Sequence, residues 1–136
     1  MYKVITVLFL SVFCLFPETK AKADNLFQDC KIAKTNGYAA TGIYEKDVSF
    51  LMCAVTIQRL IQTGQKNCSV LKILKRQSHL KLENRWWLLL ASDASNVNWT
   101  KVSDSFLRWA DNNPDKKDQP VVLNQEQWLA SKWQCK

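Results

Sequence analysis

Apolar residues recur at helical spacing along most of the chain, and short polar clusters cut the pattern into segments. In the first segment, residues 24–34, Leu26, Phe27, Cys30 and Ala33 share one side and Asp24 is placed to cap the start. Asn36-Gly37 supplies the stop. The next stretch, YAATGIYEKD, reads as a loop or a single turn, because Gly42 weakens any helix there. Asp47 opens a second predicted helix that runs to Thr63, with Gly64 as its left-handed cap. Phe50, Cys53, Ala54, Ile57, Leu60 and Ile61 form its stripe. Leu51, Met52 and Val55 widen that stripe, so this helix is expected to be central. Asn67 caps a third helix, with Val70, Leu71, Ile73 and Leu74 apolar and Lys72, Lys75 and Arg76 outward.

Residues 80–83 alternate as a strand would but are too few to assign one. Residues 84–91, NRWWLLLA, predict a short buried helix, and 92–96 a polar loop. The organising unit is residues 102–135, two helices folded back on each other across a polar, proline-bounded turn. Asn98 caps the first of them; Trp99, Val102, Phe106, Trp109 and Ala110 form its face; Asn112-Asn113-Pro114 ends it. The linker DKKDQ belongs at the surface. Pro120 suits the first turn of the second helix, with Asp118 or Gln119 as cap. Val121, Val122, Trp128, Leu129 and Cys135 line its inward side. The expected fold is all-α, a compact bundle of about five helices.

The beginning of the chain changes the picture. Lys3, an unbroken apolar run over residues 4–16 and the small-x-small site Ala21-Lys22-Ala23 have the three-part form of a secretory signal peptide. The run falls short of the ~20 apolar residues that span a bilayer. Residues 1–23 are therefore expected to be cleaved near Ala23, leaving 24–136 as one periplasmic domain with no stable membrane insertion. Cys14 leaves with the signal. Cys30, Cys53, Cys68 and Cys135 remain, and an even count in a small exported domain reads as two disulfides. Three pairings are open to four cysteines. The preferred one joins Cys30 to Cys53 and Cys68 to Cys135. Without a C-x-x-C, and with His79 as the sole histidine, no metal site is expected.

The charge is +7 for the whole chain and about +5 once Lys3, Glu18, Lys20 and Lys22 leave with the signal. The basic residues are scattered among apolar positions as solvated helix faces, and no basic run interleaved with aromatics marks a nucleic-acid groove. Six tryptophans offer ample apolar area for a core without a cofactor.

Catalytic chemistry is not visible. His79 lies in the basic stretch KRQSHLKLE, where an adjacent Ser78 does not make a dyad. Asp47, Asp93, Asp104 and Asp111 fit caps or solvent faces rather than a paired-carboxylate site. Three glycines, Gly37, Gly42 and Gly64, make no phosphate loop. Trp86-Trp87 fits core packing better than a sugar platform. Two glycosylation sequons, at Asn67 and Asn98, coincide with cap positions. The chain is expected not to be an enzyme and to work by binding.

Four features resemble the Rap/Tai immunity proteins, which protect bacteria from type VI secretion amidase effectors in the periplasm. Asn25-Leu26 followed by Cys30 is similar to that family's opening helix. Cys53 and Cys68 fall where its middle cysteines do. Val102, Phe106 and Leu107, then Asn113-Pro114-Asp115, resemble its V-x-x-F-L…P-E segment. Pro120, an apolar helix and the closing Cys135 resemble its ending. The resemblance implies a helical protein that binds and neutralises a peptidoglycan-cleaving amidase, with a homodimer as a possible assembly. The span between Cys68 and Val102 is longer than in the family. The contact surface is therefore expected at residues 78–98, through His79, Arg85, Trp86, Trp87, Asp93 and Asn96. The alternative is a small periplasmic disulfide-bonded chaperone or stress protein, or another envelope-binding module.

Overall fold

The structure is a computed structural model that describes residues 23–77, 90–116 and 121–136. Among these residues are four α-helices: α1 (Ala23–Thr35), α2 (Tyr44–Arg76), α3 (Trp99–Asn112) and α4 (Val121–Lys132). A 3-10 turn, Pro114–Lys116, follows α3. The described residues hold no strand beyond one isolated bridge between Ser92 and Gln134. The all-α expectation holds. Among the described residues the count is four rather than about five, and the reason lies in α2.

The predicted second and third helices are one 33-residue helix. Gly64 is neither its end nor a left-handed cap, and Asn67 does not start a new helix; both lie inside α2. The glycine answers a different need. The Ser92 amide donates to the Gly64 carbonyl at 3.1 Å, and a Cβ at position 64 would overlap the Ser92 hydroxyl. Glycine here lets a loop lie directly on the helix.

The start of α2 also differs from expectation. The helix begins at Tyr44, after Ile43, rather than at Asp47. Asp47 reaches back over the first turn instead. Its carboxylate accepts from the amides of Thr41 at 2.7 Å and Gly42 at 3.1 Å, and from the Thr41 hydroxyl at 3.0 Å. These bonds, the Thr41 amide first, hold its carboxyl below the usual range.

α1 ends as its sequence suggests. The Tyr38 amide donates to the Ala33 carbonyl at 2.8 Å and the Gly37 amide to Lys34 at 2.9 Å. This is the Schellman pattern, with Gly37 at φ 68° in the left-handed position. Tyr38 follows at φ 56°, unusual for a side chain with a Cβ. It is held there by its far end. Its hydroxyl contacts the Asp104 carboxylate at 2.8 Å and the Ser103 hydroxyl at 3.1 Å, and its ring meets Trp99 edge-on at 5.3 Å.

The core lies where α1, α2 and α3 meet. Leu26, Phe27, Cys30 and Ala33 pack against Cys53, Ile57, Leu60 and Ile61, with Val102, Phe106, Leu107 and Ala110 closing the third side. Two disulfides staple it, Cys30–Cys53 and Cys68–Cys135, the preferred pairing. The first joins α1 to the first half of α2. The second ties the end of the chain to the second half of α2.

α3 starts at Asn98, whose side-chain oxygen accepts from the Thr100 amide at 3.1 Å, as expected of a cap. Its meeting with α4 is aromatic. Trp128 sits 5.7 Å from Phe106 and 6.1 Å from Trp109, ring to ring, and Trp133 stands edge-on to Trp128 at 5.8 Å. Such wide contacts hold two helices apart while filling the space between them. The tail then pairs with the 92–93 loop, the Asp93 amide donating to the Trp133 carbonyl at 2.9 Å.

The predicted cap residues Asp118 and Gln119, Pro120, most of the predicted signal segment, and the strand-like and short-helix stretches up to residue 89 lie outside the described residues. Asp24 falls within the first turn of α1 rather than before it.

Candidate functional site

The long helix does more than carry the core. Its buried side is formed by Cys53, Ile57, Leu60, Ile61, Gly64, Cys68 and Leu74. Leu51, Met52 and Val55, expected to widen that side, face solvent instead. Leu51 is 56% exposed and Met52 52%. Tyr44, at 82%, and the exposed Ile43 and Val48 extend the same face toward the helix start. Tyr44, Val48, Leu51 and Val55 are spaced 4, 3 and 4 residues apart, a seam about 17 Å long at 1.5 Å per residue. Beyond Val55 the seam turns polar, at Gln58 and Gln62, both exposed. A contiguous exposed apolar stripe on a rigid helix is the form a protein-contact surface takes. The sequence held the cue: two apolar registers overlap on residues 44–61, and one helix buries only one of them.

The expected partner-binding residues divide. His79, Arg85, Trp86 and Trp87 lie outside the described residues. Asp93 is occupied by the fold. It accepts from the Ser95 hydroxyl at 2.7 Å and faces Lys72 of α2 at 3.8 Å. The Ser95 bond, helped by Lys72, holds its carboxyl below the usual range. Asn96, three residues on, is exposed and lines a cleft of about 490 Å³. Val97, Asn98, Lys101, Asp104, Ser105, Arg108, Lys132 and Trp133 complete its wall. Val97, Lys101, Ser105, Arg108, Lys132 and Trp133 are the members that the sequence pattern did not single out.

Asp104 joins this cleft to the core. It is neither a cap nor a free solvent-facing acid: it accepts from Tyr38 and pairs with Lys34 at 3.0 Å. Burial pushes its carboxyl up, but the hydrogen bonds from Tyr38 and Lys34 outweigh that and leave it below the usual range. Burial and the Asp104 charge push the Tyr38 hydroxyl up to about 12, with the Ser103 bond opposing them.

The other perturbed acids stand apart. Burial raises the Asp29 carboxyl, against a lowering bond from Ser49, and burial alone raises Glu126 on α4. Among the described residues, no three or more His, Cys, Asp or Glu side chains are grouped to hold a metal ion. No helix in this set is long and apolar enough to cross a membrane. No protein-family model, no curated protein and no solved structure matches this chain.

Proposed function

We propose that this chain is an exported immunity protein that binds and neutralises a type VI secretion peptidoglycan amidase in the periplasm, without catalysis of its own. The observation that carries the reading is the exposed seam Tyr44, Val48, Leu51, Met52 and Val55 on a helix anchored by both disulfides. An enzyme cleft is blocked by a rigid projecting surface that keeps its shape on binding. The two disulfides fit an oxidising compartment and a domain too small to rely on its core alone. The resemblance to Rap/Tai proteins supplies the class of target. We place the contact surface on the first half of α2, with exposed Asn96, from the expected 78–98 segment, as a further element.

Survival is the test. Cells that send a type VI amidase to their own periplasm should lyse, and co-export of this chain should rescue them. Rescue from one amidase and not from others identifies the cognate effector. Failure against every tested type VI amidase argues against the reading. The exposed seam also suits a small periplasmic chaperone, the second reading. Suppression of client aggregation on acidification, with no effect on any amidase, would favour it.

A further inference from the structure

We propose that the cleft between the start of α3 and the end of α4 is a second docking site, which takes an acidic segment of a protein partner. The site is separate from the α2 seam and stands whether or not the partner is an amidase.

The charge balance of the wall carries the proposal. Lys101 and Arg108 lie on one face of α3, and Lys132 approaches from the end of α4. All three side chains are exposed, and none makes an ion pair within 4 Å among the described residues, although Arg108 lies close enough to Asp104 to help lower its carboxyl. The single acid in the wall, Asp104, is already committed to Tyr38 and Lys34. Three cations therefore face the cleft against one carboxylate, Asp104, which already holds Tyr38 and Lys34 and is shared at longer range with Arg108.

The layout favours a peptide. Lys101 and Arg108 are two helical turns apart, ~10 Å along the axis. Cations spread in that way meet successive carboxylates on a chain better than one phosphate. The Arg108 guanidinium can take a carboxylate two-pronged. The Asn98 side-chain oxygen is used by the α3 cap. Its amide, with that of Asn96, remains for a peptide backbone. Half-buried Val97 and Trp133 give an apolar floor for the side chains between the acids. One ring is too few for a stacking track of the kind single-stranded nucleic acid needs, and a concave wall does not match a flat lipid surface.

The test uses the mature chain and fluorescence anisotropy at low salt. The probe is a labelled peptide of alternating glutamate and alanine, set against its glutamine–alanine counterpart. The glutamate peptide should bind and weaken steeply with added salt, and the glutamine peptide should not bind. Lys101→Glu with Arg108→Glu should weaken binding at least tenfold, and Lys132→Glu alone at least threefold. Lys75→Glu, on the far half of α2, should change it less than twofold. These side chains are exposed, so thermal melting should be unchanged in every variant. Equal binding of the two peptides, or charge-reversed variants that bind as the parent does, would overturn the proposal. So would no binding of the glutamate peptide, or binding of phosphatidylglycerol vesicles or single-stranded DNA in its place.

Discussion

Gly64 and Ser92 touch where the 90–97 loop crosses α2: the serine amide donates to the glycine carbonyl at 3.1 Å, and no side chain fits between them. The Ser92 hydroxyl is buried without a hydrogen-bond partner among the described residues. Two effects compete in Gly64→Ala. Alanine favours a helix interior by ~1 kcal/mol, whereas overpacking costs ~1–3 kcal/mol. The overlap involves a serine whose backbone is fixed by its own bond to Gly64, so the steric cost should win. Urea denaturation should show Gly64→Ala destabilised by ~1–2 kcal/mol. Ser92→Ala should be neutral or stabilising, since it removes an unsatisfied polar group. The double variant should recover part of the loss.

The two disulfides should differ in worth. Cys30–Cys53 spans 23 residues and Cys68–Cys135 spans 67. In the chain-entropy model the shorter loop is worth about 3.4 kcal/mol and the longer about 4.4 kcal/mol. Paired Cys→Ser variants, compared in urea, should fall in that order. The second should also free the tail and the 92–93 loop together, read as faster amide exchange at Asp93.

Tyr38 gives an alkaline signature. Its hydroxyl titrates at about 12 in the fold and near 10 unfolded. A raised value for an acid that is neutral when protonated means stability fully present below ~10 and lost as pH rises from ~10 to ~12. Ultraviolet titration should show one late tyrosine, absent in Tyr38→Phe. That variant should lose ~1–2 kcal/mol at neutral pH, because it removes a bond to a charged partner.

Glu126 works in the other direction. Burial raises its carboxyl, so its protonated form suits the fold. The contribution is fully present below the unfolded value, ~4.3, and is lost as pH rises through the folded one. Glu126→Gln should therefore raise the melting temperature at pH 7 by a few degrees, on the order of 1 kcal/mol. The gain should vanish in acid, where the native glutamate is itself neutral.

The helical class, the α1 stop at Asn36-Gly37, the Asn98 cap and the inward faces of α1 and α3 were legible because each rests on local rules. Gly64 departs from the expected helix stop for a physical reason. A glycine that ends a helix and one that admits a crossing loop look alike in sequence, and only Ser92 tells them apart. Leu51, Met52 and Val55 were placed inward because periodicity finds apolar registers without saying which one the neighbours cover. The basic cleft was hidden because Lys101, Arg108 and Lys132 come together only when the fold brings the end of α4 beside α3. Of the expected contact residues, Asn96 lines that cleft and Asp93 serves the fold.

The seam on α2 is tested most directly by titrating purified mature protein into a type VI amidase that cleaves peptidoglycan and following the peptide released. The native chain should inhibit its cognate enzyme near one-to-one. Leu51→Glu with Val55→Glu, both at exposed positions, should melt as the parent does yet inhibit at least ~30-fold more weakly, the ~2 kcal/mol expected of a central contact. Inhibition untouched by the double variant, or no inhibition of any such amidase by the native chain, would contradict the account.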